Sequence, residues 1–236
     1  MAGKATSQAP RLSALTRLDD MITVKIGPEH TTYHIHKGLL VHHSEYFRRA
    51  LNGNWLESDD KTVVIDDMEP GPFDTFVDWL YTGKLPWRPF GDGEYAISSK
   101  WAMPHEGDET KLTLCLLQIK SYVVADRLGA GKLVKAINNH FIDSYKFQAP
   151  WYKTVIYAFD HIPSERPILW FLIDTHCVYW SEDYDKKHRG EEALQDELPH
   201  EFLLGVMKRM RSLHVLLPKG ASLDETKYYD DGGGCE

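Results

Sequence analysis

The chain has 236 residues, 42% of them apolar and 12% aromatic, with a formal net charge of −8. That apolar fraction supports a real core and excludes global disorder. An excess of 35 acidic over 27 basic residues argues against a dominant nucleic-acid role, which needs clustered Lys and Arg.

The first 20 residues lack the apolar core of a signal peptide, and no apolar run reaches membrane-span length. Cys115, Cys177 and Cys235 are odd in number and widely spaced. The first two sit in apolar surroundings, which predicts buried free thiols in a reducing compartment. An intracellular protein, cytoplasmic or nuclear, is expected.

Residues 1–17 are aperiodic and read as a flexible tail. From Met21 to Ile26 the chain alternates, with Ile22, Val24 and Ile26 on one side, which predicts a half-buried strand. Gly27-Pro28-Glu29-His30 is a turn signal, and Thr31 to Ile35 alternates again, so a hairpin is expected. Leu39, Leu40 and Val41 supply a short apolar helix. Ser44 is placed to cap a second helix over Glu45–Leu51, with Phe47, Ala50 and Leu51 facing inward. Thr62–Ile65 reads as a short β-branched strand.

Pro70 and Pro72 open the cleanest amphipathic helix, because a first turn has no use for the N–H that proline lacks. Its apolar positions are Phe73, Phe76, Val77, Leu80 and Tyr81, and Gly83 ends it. Residues 85–110 lose all periodicity and read as an insertion. Helix returns over Leu112–Leu128, with Leu112, Leu116, Ile119 and Val123 on one face. Gly129-Ala130-Gly131 breaks it, and Leu133, Ile137, Phe141 and Tyr145 mark the next helix at i+4 spacing. Beyond Pro150 come three helical patterns, Trp151–Ile162, Glu165–Trp180 and Pro199–Leu213. The middle one is apolar nearly all round and is expected at the centre of a C-terminal annex. Residues 218–236 are Gly-rich and acidic with a tyrosine pair, and read as a disordered tail.

Several of these stretches, in this order, resemble the BTB/POZ domain. They are Asp20-Met21-Ile22-Thr23-Val24-Lys25-Ile26-Gly27, Tyr33-His34-Ile35-His36-Lys37-Gly38-Leu39-Leu40, and Ser44-Glu45-Tyr46-Phe47. Phe73 to Gly83, ending Tyr-Thr-Gly, and Ala125-Asp126-Arg127-Leu128 before Leu133 extend the likeness over roughly residues 18–146. The lengthened insert and short helical annex are similar to BTB proteins of filamentous fungi.

The resemblance implies an α+β fold, a helical cluster flanked by a small three-stranded sheet, followed by a helical extension over 147–217. It implies binding rather than catalysis, with protein partners, homodimerisation through the first helix and neighbouring strand, and a cullin scaffold as one partner. A charged pocket at the dimer interface would pair Asp20 with Lys37. A transcriptional or chromatin scaffold without direct DNA contact is the alternative. No nucleic-acid, membrane, cofactor or metal partner is expected.

Sharper chemical readings are weaker. His34 and His36 share a strand face, but no cysteine lies near them and polar cover explains them better than a metal. Ser44 beside His42 and His43 lacks a Gly-x-Ser-x-Gly elbow, so capping is preferred to nucleophilic catalysis. Gly129-Ala130-Gly131-Lys132 follows a helix and lacks phosphate-loop spacing. Paired acids such as Asp66-Asp67 read as solvated turns. In the insert, Trp87, Phe90 and Trp101 either pin the loop or, with Phe73 and Tyr81, offer a partner surface.

Overall fold

A computed structural model of the chain describes Ser13 and residues 20–52, 61–87, 108–181, 191–216 and 224–230. Most of the N-terminal tail and of the insertion, including Phe90 and Trp101, lies outside the described residues, as does Cys235. The chain divides by contacts into two compact units. One is Met1–Leu85 with Val124–Leu133, and the other is Pro86–Val123 with Val134–Glu236.

The first unit is built on a three-stranded sheet of β1 (Met21–Ile26), β2 (Thr31–His36) and β3 (Thr62–Ile65), in the order β2-β1-β3. The predicted hairpin forms, pairing Met21 with His36 and Ile26 with Thr31, while β3 runs parallel to β1. Ile22, Val24 and Ile26 are buried at alternate positions of the central strand, as its pattern requires.

Two short helices follow the hairpin, α1 (Lys37–His43) and α2 (Glu45–Asn52), then α3 (Pro70–Thr82) after the third strand. Leu39 and Leu40 of α1, Phe47 and Leu51 of α2, and Phe73, Phe76 and Leu80 of α3 all point into the core. Trp79, also 8% exposed, widens the buried stripe of α3 beyond its i, i+3, i+4 pattern. The rings interlock. Phe47 stacks on Phe76 at 6.2 Å, and Tyr33 meets the edge of Phe73 at 4.9 Å.

Ser44 caps α2. Its Oγ accepts the Phe47 N–H at 3.2 Å and donates to the Leu128 carbonyl at 2.6 Å. That carbonyl lies just past the end of α4 (Asp108–Arg127). It also accepts the Tyr46 N–H, while the Glu45 N–H reaches the Gly129 carbonyl. The α4 terminus closes on itself through Ala130 N–H to Ala125 O and Gly129 N–H to Asp126 O, both 2.9 Å, with Gly129 at φ +63°. This double closure is a Schellman cap, and its left-handed residue favours glycine. A Cβ on Gly129 would stand 2.7 Å from the Glu45 Cβ.

The second unit holds most of α4 and of α5 (Gly131–Tyr145), then α6 (Tyr152–His161), α7 (Pro167–Tyr179) and α8 (His200–Leu216). The i+4 ladder Leu133, Ile137, Phe141 and Tyr145 of α5 is buried throughout. The face expected of α4 needs correction. Leu112, Leu116 and Val123 are only half-buried, while Leu114, Cys115, Gln118, Ser121 and Tyr122 join Ile119 in the interior. Small and polar residues there carry too little hydropathy to mark a face by periodicity.

Helix α7 is the centre of its unit, with Ile168, Leu169, Phe171, Leu172 and Ile173 buried, but Trp170 is 56% exposed. Val155 of α6, Ile173 of α7, and Phe202 and Val206 of α8 form one apolar cluster. Gly205 lets α8 approach α7 closely, since a Cβ there would lie 2.5 Å from Ile173 Cδ1. The buried Glu191 carboxylate accepts the Tyr152 N–H at the first turn of α6, doing for that helix what Ser44 does for α2.

Residues 224–230, assigned by composition to a disordered tail, are ordered against this unit and include a short 3-10 turn at Glu225–Lys227. Tyr228 is 4% exposed. Burial of one aromatic side chain there outweighs the polar, glycine-rich composition of its surroundings.

Two neighbouring glycines test the joint between α2 and α4. Gly129→Ala is expected to cost ~1–2 kcal/mol for the left-handed backbone, and more for the clash with Glu45. Gly131→Ala, in open space at the start of α5, should change stability by less than ~1 kcal/mol. Equal urea midpoints for the two variants would refute this account of the joint.

Candidate functional site

The corner where β1, the end of β2 and the start of α1 meet carries the charges singled out in the sequence. The Lys37 N–H donates to the Asp20 carbonyl at 2.9 Å, so the hairpin register itself brings these two residues together. The pocket expected of them joins their side chains across a dimer; within one chain the Asp20 carboxylate turns to a different base. The Asp20 carboxylate lies 3.3 Å from Lys61 Nζ, at the edge of β3, where the Lys61 carbonyl also accepts the Thr23 N–H. The Asp20 and Lys61 side chains are 42% and 59% exposed. An ion pair this wet contributes ~0–1 kcal/mol to folding. Its value is as a surface charge pattern. Lys61 was missed because the turn before a strand gives no sign of which strand edge its side chain will reach.

Beside this corner, α3 is tied to β2 by polar contacts. Tyr33 Oη donates to Asp74 at 2.7 Å, and burial, followed by that bond to an acid, pushes its phenol pKa up. Tyr81 Oη lies 2.9 Å from His36 Nδ1 and accepts the His36 N–H at 3.3 Å. The proposed partner aromatics therefore separate. Phe73 is fully buried, so it is core and not surface. Tyr81 is half-buried and bound to His36. Trp87 is 7% exposed and packs on the His140 ring at 5.8 Å, which pins the start of the insertion. Phe73 and Trp87 fill the interior because an aromatic side chain gains more from burial than from display.

Three further histidines of this unit have local partners. His30 meets Asp66 at 3.0 Å, and His34 lies 3.3 Å from the Thr23 hydroxyl. His43 packs edge-on to Trp79 at 5.0 Å. Its burial, then the charges of His42 and Lys132, push its pKa down to about 4. Among the described residues no group of three or more His, Cys, Asp or Glu is arranged to hold a metal ion. Cys115 is buried and free, accepts a bond from the Thr154 hydroxyl, and has its thiol pushed up to about 12 by burial. Such a thiol is a poor nucleophile. No described helix is long and apolar enough to cross a membrane.

A family model for the BTB/POZ domain matches residues 12–100. No curated protein matches the chain. The three-stranded sheet with its helices has the α+β BTB/POZ fold, and a helical extension follows it in the chain. BTB/POZ domains are protein-interaction domains, so what residues 12–100 supply is a protein–protein interaction module.

His43 sets a pH dependence. Its folded pKa lies below the unfolded value near 6.5, so its contribution is complete above that pH and is lost as pH falls through 6.5 toward 4. Solvent screening holds the slope well under the ~1.4 kcal/mol per pH unit of full linkage. His43→Phe keeps the ring against Trp79 and should flatten the denaturant midpoint across that window. A variant with the wild-type slope would exclude His43 as the source.

Proposed function

We propose that the chain acts without catalysis, as an interaction module that self-associates through the surface around Asp20 and Lys37. The observation behind this reading is the charged corner. The backbone bond between Lys37 and Asp20 fixes both residues at the open end of the β1–β2 hairpin, and the Asp20 carboxylate is half-exposed beside Lys61. A second copy related by two-fold symmetry brings each Lys37 toward the other copy's Asp20, so one acid and one base per chain make two complementary pairs. Helix α1 suits the same contact. Leu39 and Leu40 are buried, while Val41, His42 and His43 are half-buried and form the flank that a second copy covers.

Within the same reading, the module is an adaptor that brings a protein partner to a cullin-type ubiquitin ligase inside the cell. Asp78 and Thr82 are the exposed polar positions of α3 available for such a scaffold, since Phe73 and Trp79 are interior. The buried free thiol of Cys115 fits a reducing compartment.

Charge reversal separates assembly from folding. Lys37→Glu should weaken self-association at least about tenfold, or ~1.4 kcal/mol, in sedimentation equilibrium. Its melting temperature, measured under monomeric conditions, should stay near wild type because the bond Lys37 makes to Asp20 is a backbone one that the substitution keeps. Adding Asp20→Lys should restore part of the affinity. A single-chain mass for the wild type at tens of micromolar, or a dimer indifferent to Lys37→Glu, would sink the self-association reading. Failure of any cullin to co-purify from the native cell would sink the adaptor reading alone.

A further inference from the structure

The C-terminal segment 224–230 lies on the second unit in the manner of a bound peptide. Its backbone is read by two adjacent asparagines of α5. Asn138 Nδ2 donates to the Tyr228 carbonyl at 2.9 Å, and Asn139 Oδ1 accepts the Asp230 N–H at 3.2 Å. These bonds take the peptide backbone whatever its side chains are. With the segment in place Asn138 is 2% exposed, so the bond it makes is shielded from water.

The side chain of Tyr228 supplies selectivity. Its ring meets Phe171 edge-on at 5.5 Å, and its hydroxyl donates to the Asp174 carboxylate. Asp174 is 8% exposed and is held from its other oxygen by Arg209 of α8 at 2.6 Å. A phenol satisfies this buried acid, whereas a phenylalanine leaves one carboxylate oxygen without that donor. The next residue, Tyr229, donates to Asp143 at 2.5 Å on the exposed side. A buried aromatic ring and polar contacts of Tyr228, Tyr229 and Asp230 thus hold this segment to the unit.

A groove of about 380 Å³ opens beside the Asp174–Arg209 pair, walled by Leu169, Trp170, Ile173 and Leu204. Trp170 is 56% and Leu204 38% exposed, so this groove, which shares Asp174 with the tyrosine site, has apolar walls open to solvent.

We propose that Asn138, Asn139, Phe171 and Asp174 form a peptide-recognition site that takes a tyrosine-bearing segment of a protein partner. In this structure the chain's own residues 224–230 occupy it and act as a tethered competitor. The required chemistry is a tyrosine with a free backbone carbonyl, a free N–H two residues later, and an unmodified phenol. A phosphate on that phenol would set its negative charge against Asp174 and prevent entry.

The test uses the full chain and a fluorescein-labelled synthetic peptide spanning 224–231. Tyr228→Ala should free the site, so the peptide should give saturable polarisation with that variant and at least about tenfold weaker binding to wild type. The same peptide with alanine for its first tyrosine should not saturate, and adding Asn138→Ala to the variant should abolish binding. Equal binding to wild type and variant, equal binding of the alanine peptide, or no binding to a variant with wild-type circular dichroism would each overturn the proposal. If Tyr228→Ala does not fold, hydrogen exchange on wild type decides. Excess peptide should accelerate exchange at the Asp230 amide and leave the α5 amides unchanged, and no acceleration would overturn the proposal.

Discussion

The meeting of one helix end with one helix beginning is the constraint on which the interaction unit depends. The first amides of α2 have no partners within their own helix, and the last carbonyls of α4 have none within theirs. Here the two deficits cancel. Ser44 Oγ, the Glu45 N–H and the Tyr46 N–H all face the carbonyls of Leu128 and Gly129. The negative end of one helix dipole therefore meets the positive end of the other. Only a residue without a side chain lets the backbones approach this closely, which makes Gly129 a structural requirement and not a simple helix break. Phe47, three residues into α2, is thereby aimed at Phe76 and fixes the aromatic core.

Much of this architecture was legible in the residue pattern. Alternation gave β1, β-branched residues gave β3, and the prolines and Gly83 bounded α3 closely. The Ser44 cap and the break at Gly129 were each readable, because capping chemistry is local. That they face each other was not, because 84 residues separate Ser44 from Leu128. Helix α4 shows the opposite failure. Cys115, Gln118 and Ser121 are interior, and no hydropathy pattern announces an interior that contains glutamine and serine. Trp170 fails in the other sense, being apolar in composition and exposed in fact.

The charged corner was partly legible. The motif named Asp20 and Lys37, and the strand register does put them side by side. The third member, Lys61, came from a separate strand edge that only the parallel pairing of β1 with β3 reveals. Aromatic residues were the least reliable guide. Phe73, on the apolar stripe of α3, and Trp87, read first as a pin for the loop, were also offered as partner surface, and in both cases burial won. The carboxylates of the second unit teach a related lesson. Glu191 and Asp174 are interior acids that meet a helix N-terminus and an arginine with a tyrosine, whereas an acid in a sequence ordinarily signals a wet surface.

The attachment of residues 224–230 has a quantitative consequence for any competitor. Seven residues, 217–223, separate this segment from the end of α8, and a flexible tether of that length would set a local concentration on the order of millimolar. If the segment binds with an intrinsic dissociation constant of about 10 μM, the site is closed about 100-fold more often than it is open. A free peptide of equal intrinsic strength then shows an apparent constant of about 1 mM. Monovalent ligands at cellular concentration are filtered out. In the dimer proposed above, ligands presented in pairs would recover through avidity what the tether takes away.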